Sequence, residues 1–165
     1  MTSRSSDTRQ SGLIDRRRST FIVIDVQERL IPKVRSAEAV LARMSALVSG
    51  AQVMDVPAVF TEHCRDRIGS VSPGLRALSH DALIFPKTSF KATAEPDFSA
   101  HLVNLGRPQT VIAGFEAHIC VLQTALGLRD SNYEVFVVSD AIASRCTHDK
   151  STALQRMAAA GVHIV

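Results

Sequence analysis

A doubly wound α/β fold, with a parallel sheet between two helical layers, follows from three features of this 165-residue sequence. From Thr20 onward, short apolar segments rich in β-branched residues alternate with segments of helical periodicity. The short segments are continuously apolar, as in strands buried on both faces. Hydrophobic residues make up 45% and charged residues 21%, enough for a real core in one domain. No apolar stretch approaches the roughly 20 residues that cross a bilayer, which argues against a membrane protein.

The elements follow in order. "TFIVIDV" predicts the first strand. "SAEAVLARMSALVSGAQVMD" predicts a helix, with Val40, Leu41, Met44, Leu47, Val48 and Ala51 on one face, Ser36 as N-cap and Glu38 in the first turn. "PAVFTE" is a second strand, "RDRIGSVSPG" a surface loop and "ALIFPK" a third strand. "PDFSAHLVNLG" is a short helix closed by Gly106, and "QTVIAG" a fourth strand. "HICVLQTALGLRDSN" is a helix whose Gly127 costs up to about 1 kcal/mol relative to Ala, which predicts close approach of another backbone. "YEVFVVSD" is a fifth strand, "THDKSTALQRMAAAG" a helix, and "VHIV" the start of a sixth strand.

The charge is uneven. Residues 1–20 hold five arginines and two aspartates, and the rest balances fourteen basic against fourteen acidic side chains. A basic tail on a neutral body is not a polyanion-binding surface, so nucleic acid is not an expected partner. "MTSRSSDTRQSGLIDRRRS" is polar and aperiodic, giving an expected disordered tail over 1–19 and a single domain over 20–165. Cys64, Cys120 and Cys146 form no C-x-x-C pair and leave one odd, as in a reducing cytoplasm.

Parallel sheets bind ligands beyond the carboxyl ends of their strands, where the strand order reverses. Asp25 lies at the end of the first strand, Lys87 ends the third, and Cys120 lies in the first turn of the helix after the fourth. Singly, the aspartate caps a turn, the lysine is a solvated charge and the cysteine a small core residue. Together they make a nucleophilic site. A helix N-terminus and a neighbouring ammonium are expected to lower the thiol pKa, and a carboxylate can carry its proton to a leaving amine. Unpaired N–H groups of the first turn can face an oxyanion, worth roughly 3 kcal/mol per donor.

The segments "FIVIDVQERLIP", "FPKTSF", "VIAGFEAHICVLQTAL", "YEVFVVSDAIASR" and "ALQRMAAAGVHIV" resemble the isochorismatase-like cysteine hydrolases, which include nicotinamidases and N-carbamoylsarcosine amidohydrolase. "GFEAHICV" and "DAIASR" are most similar to the isochorismatase-domain-containing branch. The resemblance implies a three-layer α-β-α fold with about six mostly parallel strands in the order 3-2-1-4-5-6. It implies Asp25 as general base, Lys87 as its charged partner and Cys120 as nucleophile. It also implies an oxyanion hole from the N–H groups of Glu116 and Cys120, with a cis peptide at Phe115–Glu116. Gly114 suits the permissive turn such a loop needs. Gln27 sits at a recurring family position, where it orients the loop or meets substrate. Phe90 and His118 are further candidate substrate contacts, and relatives are commonly homo-oligomers.

The departures also carry expectations. "TEHCRDR" lacks the Asp-x-His of nicotinamidase metal sites, and neighbouring Glu62 and His63 cannot easily face one ion from an extended chain. Neither a metal nor another cofactor is therefore expected. Glu116 stands where many relatives have Thr or Ser. The chain stops at Val165, just into its last strand, where relatives continue into a further helix, so a missing segment or a different subunit interface is expected. Phe85 and Phe98 suit either pocket lining or the core, and Arg145 and His148 suit capping or an interface. The leading expectation is a hydrolase of small amides or ureides acting through a thioester. The alternative is a non-catalytic binding or assembly protein on the same fold. A thiol redox protein using Cys64 or Cys146 is a minor third.

Overall fold

In a computed structural model that describes residues 12–165, six strands form one sheet. They are β1 (Ser19–Ile24), β2 (Ala58–His63), β3 (Leu83–Lys87), β4 (Gln109–Phe115), β5 (Glu134–Ala143) and β6 (His163–Ile164). The order is β3-β2-β1-β4-β5-β6 and every neighbouring pair is parallel. The order implied by the resemblance is the order observed. The direction of winding reverses between β1 and β4, which makes the carboxyl ends of these two strands the switch point.

The strands divide their side chains by the two-residue pleat. On one face Phe21, Val23, Phe60, Val111, Ala113 and Phe136 pack with Val40, Met44, Val48 and Ala51 of α1 (Ala37–Val53) and Leu75 of α3 (Pro73–Ala77). On the other, Ile22, Ile24, Val59, Ile112, Val135 and Val137 meet three helices. Those helices are α4 (Pro96–Leu105), α5 (Leu122–Asp130) and α6 (Thr147–Ala159). Ile22 and Ile24 are fully buried, which stabilises the fold by roughly 1.5–3 kcal/mol for each side chain.

Several local expectations are corrected. β1 stops at Ile24, because Asp25 turns into the left-handed region at φ 52°. The expected loop over "RDRIGSVSPG" contains one helical turn, α2 (Arg65–Ile68), and the start of α3, with Pro73 in its first turn. Ser36 precedes α1 as expected but has φ 55° and makes no side-chain cap. Of the expected tail, residues 1–11 lie outside the described residues. Leu13 and Asp15 are tied to β4 through Gln109, whose Nε2 donates to Leu13 O and whose Oε1 accepts from Asp15 N. At Gly127 the close neighbours are the side chains of Thr93 and Lys91 rather than a backbone.

Candidate active site

Each side chain reaches the switch point for a local reason. Asp25 leaves β1 in a left-handed turn, and the Thr61 hydroxyl on β2 holds it from two sides. That hydroxyl accepts from the Asp25 N–H at 3.2 Å and donates to Asp25 Oδ1 at 2.6 Å. Lys87 ends β3, two strands away, or roughly 10 Å at the usual spacing. Its four-carbon stem crosses the end of β2 and sets Nζ 2.7 Å from Asp25 Oδ2. Both side chains are almost completely buried, at 1% and 2% exposure. The other two ammonium hydrogens face Ser89 O at 3.2 Å and Phe90 O at 3.4 Å.

Cys120 arrives from β4. Gly114 has φ 154°, and a Cβ there would lie 2.5 Å from Ile24 O and 2.8 Å from Ile24 Cβ. Only glycine lets β4 lie this close to the end of β1. Glu116 then turns at φ 55°, and Ala117–Val121 form a single π-helical turn before α5. Cys120 therefore sits in a π turn rather than in the first turn of an α-helix, a device that often re-aims a side chain at a functional site. The expected cis peptide at Phe115–Glu116 is not found. There is no cis bond among the described residues, and the positive φ values of Gly114 and Glu116 make the turn instead.

The thiol lies within hydrogen-bonding reach of both Asp25 and Lys87, and the residue is 4% exposed. Its pKa moves opposite to expectation. Burial first, then the Asp25 charge, push it far above the ordinary thiol range, while Lys87 pulls it down less. The Lys87 ammonium, paired with the Asp25 carboxylate, offsets only part of that upward push. The resting thiol is protonated.

The supporting residues surround this core. Gln27 is fully buried. Its Oε1 accepts from His63 N at 2.8 Å, and its Nε2 donates to His63 O at 3.1 Å and to Gly69 O. With both amide hydrogens committed, Gln27 orients the loop after β2 instead of facing a ligand. Phe90 is half exposed, its ring 5.3 Å from that of His63. His118 points to the other side of the turn, with Nδ1 3.0 Å from Ser144 Oγ and 3.6 Å from Glu116 Oε2. The buried Glu116 carboxylate takes Arg145 Nε at 2.9 Å. Glu62 leaves β2 on the face opposite His63 and accepts from Val71 N at 2.8 Å. Phe85 packs edge-on against Phe98, in the core between β3 and α4.

Thr61 and Glu95 were not among the residues expected at the site, and His63 was considered there only as a poor metal ligand beside Glu62. A threonine inside the apolar "AVFTE" was a usable signal for the first. Glu95 had none, since its Oε1 closes a loop by accepting from Thr88 N at 3.0 Å and Ser89 N at 3.1 Å. A separate cleft of about 450 Å³ opens at the opposite sheet edge, between Gln52, Asp55, Ser79 and His101. Its lining holds no cysteine, and the meeting of a thiol, a carboxylate and an ammonium is at the carboxyl edge.

Comparison with known proteins bears on the fold and the family. No helix among the described residues is long and apolar enough to cross a membrane. The chain is 34% identical over 169 residues to the secreted isochorismatase effector Isc1 of Phytophthora sojae, covering 99% of this chain and 80% of that one. It is 34% identical over 147 residues to isochorismatase domain-containing protein 1 of Danio rerio, covering 88% of this chain but about half (51%) of that protein. Two solved YcaC structures superpose with TM-score 0.88 at 26% identity and cover 92% of this chain. One, from Escherichia coli, is an octameric hydrolase of unknown specificity, of which 76% is covered. The other, from Pseudomonas aeruginosa, holds hexane-2,5-diol and covalent acrylamide, and 77% of it is covered. The isochorismatase domain model matches residues 19–165. By fold, by strand order and by this match, the chain belongs to the isochorismatase family.

Proposed function

We propose that this chain is a cysteine hydrolase that cleaves a C–N bond of a small amide, ureide or related molecule through a thioester. The observation that carries this reading is the meeting of Asp25, Lys87 and Cys120, from three separate strand ends, in one buried cluster. Since the resting thiol is protonated, attack and proton transfer go together. Asp25 takes the sulfur proton as Cys120 bonds to the carbonyl carbon. The N–H groups of Glu116 and Cys120 receive the oxyanion. The intermediate collapses to a thioester, and Asp25 returns the proton to the departing amine. Water then attacks the thioester, losing a proton to Asp25 and releasing the carboxylic acid product and the free thiol. Lys87 serves as a strut, holding Oδ2 while Thr61 holds Oδ1. Acrylamide bound covalently in the Pseudomonas YcaC protein supports a reactive nucleophile on this fold.

The test is an ammonia-release screen over small amides and ureides with wild type and Cys120→Ala, alongside mass spectrometry after acrylamide treatment. The expected result is turnover of at least one compound, lost by about a thousandfold or more in the variant, with the adduct on Cys120. Equal background for both proteins favours the second reading, a non-catalytic binding or assembly protein. The near-complete burial of Cys120, Asp25 and Lys87 is what favours that alternative. A homo-oligomer, supported by the octameric relative, is proposed as the working form. The three free cysteines support a reducing, cytoplasmic setting, although one relative is named as secreted.

A further inference from the structure

Another cavity, of about 230 Å³, opens at the amino end of the sheet, between β1, β4 and α1. Phe21 of β1 and Val111 of β4 are register partners and line it, together with Leu47 and Ala51 of α1. Phe21, Val111 and Ala51 belong to the buried core, so the cavity reaches into the apolar interior. Ile14 and Met54 also line it and are about half exposed, which places them at its mouth. Ser19 brings the one neutral polar side chain, and its hydroxyl is already committed to Asp15 O at 2.8 Å and Gln109 Oε1 at 3.0 Å. Among the described residues no acidic side chain lines the cavity. Whatever enters it must therefore be apolar.

Arg16 is the charged side chain of the lining, and it spans the mouth. Its Nη1 donates to Met54 O, at the end of α1, at 3.2 Å. A guanidinium has five N–H groups, and the other four have no hydrogen-bond partner among the described residues. Its place is fixed from behind. Gln109 binds Leu13 O and Asp15 N, and Arg107 Nη1 donates to Arg16 O at 2.8 Å and Ser19 O at 3.0 Å. The nearest carboxylate in sequence, Asp15, gives its Oδ1 to Arg17 N at 2.8 Å, while Arg16, Arg17 and Arg18 carry three positive charges. Around the mouth the surface is apolar again, since Leu13 is 72% and Val53 83% exposed. A dry interior with a planar cation at its rim suits a molecule that is hydrocarbon at one end and carboxylate at the other. At roughly 30 Å³ for each water-sized group, the interior has room for about eight carbon atoms.

We infer that this cavity is a binding site for a small amphipathic monocarboxylate, its hydrocarbon end against Phe21 and Val111 and its carboxylate on the Arg16 guanidinium. The site lies at the opposite end of β1 and β4 from Asp25 and the turn that carries Cys120. It therefore stands whether or not Cys120 is a nucleophile.

Methionine methyl groups report on it in the full chain. Met54 borders the cavity, whereas Met157 is buried on the other sheet face. The protein with isotope-labelled methionine methyls is titrated by NMR with butyrate, hexanoate, octanoate and decanoate. Octanoate is expected to shift Met54 saturably and leave Met157 in place. Affinity should rise about fourfold for each added methylene and level off beyond about eight carbons, where the cavity is full. Arg16→Gln should weaken octanoate by about five- to tenfold and leave the binding of neutral 1-octanol unchanged, which also shows that the variant is folded. Leu47→Phe, which fills the cavity from its rim, should abolish both. No saturable Met54 shift below about 10 mM octanoate would overturn the proposal, since a specific site binds more tightly than that. Octylamine binding as tightly as octanoate would remove the carboxylate from it. Affinity that keeps climbing through decanoate, or a Met54 shift seen only with phosphatidylglycerol vesicles, would replace the small ligand by a membrane surface. A Met54 shift that follows protein concentration alone would replace it by a second copy of the chain.

Discussion

The Thr61 hydroxyl holds Asp25 twice, accepting from its backbone N–H and donating to its carboxylate. One side chain on β2 thus stabilises both the left-handed turn after β1 and the orientation of the carboxylate. Thr61→Val keeps the shape and removes both bonds, leaving a buried N–H unpaired. A loss of roughly 1–3 kcal/mol in unfolding free energy is expected, measured by urea denaturation. Thr61→Ser should recover most of it. If the valine variant unfolds at the wild-type midpoint, the hydroxyl holds nothing.

The Asp25–Lys87 pair predicts a non-additive cycle. Lys87→Met strands a buried carboxylate and should cost about 3–5 kcal/mol. The double variant Asp25→Asn, Lys87→Met has no charge to strand and should be clearly more stable than Lys87→Met alone. Strict additivity of the two single changes would mean that the two groups do not depend on each other.

Two glycines differ in the kind of crowding they relieve. At Gly114 the obstacle is the Ile24 backbone, 2.5 Å from where an added methyl carbon would sit, and the φ of 154° is unfavourable for any side chain. At Gly127 the obstacles are the side chains of Thr93 and Lys91, the latter with Cδ at 2.8 Å. Gly127→Ala should therefore cost about 1–3 kcal/mol from overpacking, more than its helix propensity returns. Thr93→Ala should relieve part of that cost, whereas no nearby truncation should rescue Gly114→Ala. Thermal unfolding of the three variants checks both statements.

His63 sets a pH dependence. Its pKa in the folded protein lies below the ordinary 6.5, from burial first and the Lys87 charge second. The unfolded chain therefore binds more protons just below 6.5, and stability falls as pH drops through that window. His63→Gln should flatten the curve there. Glu95 acts in a separate, lower window. Hydrogen bonds from the Ser89 and Thr88 backbone hold its pKa below the ordinary 4.5, so its contribution is lost only as pH falls further. Denaturation midpoints across about pH 2 to 8 for wild type and His63→Gln distinguish the two. A wild-type curve that is level through the histidine window would contradict the first.

Arg145 is exposed, yet its partner Glu116 is buried beside the π turn that carries Cys120. Arg145→Ala leaves that carboxylate with only the His118 ring nitrogen, at 3.6 Å, beside it. A loss of about 1–3 kcal/mol is expected from the unpaired buried charge, and Arg145→Lys should recover only part, because a point charge replaces a directed N–H. An unchanged melting temperature in Arg145→Ala would show that solvent already satisfies Glu116.

Periodicity and residue type carry local information, and by themselves they determined the alternating elements, the parallel sheet and the three strand-end positions of Asp25, Lys87 and Cys120. A continuous β-branched run such as "FIVI" has no stable place except a strand covered on both faces. Tertiary structure alone decided how those three residues behave. The reach of Lys87 across β2 pairs its ammonium with Asp25, and desolvation turns an expected activated thiol into a protonated one. Gln27 and Glu95 hold loops through contacts 36 and 6 residues away in the chain, and the turn at Glu116 is made by positive φ values instead of a cis bond. Burial, pairing and long-range hydrogen bonds are properties of the packed chain, so no local pattern of residues encodes them.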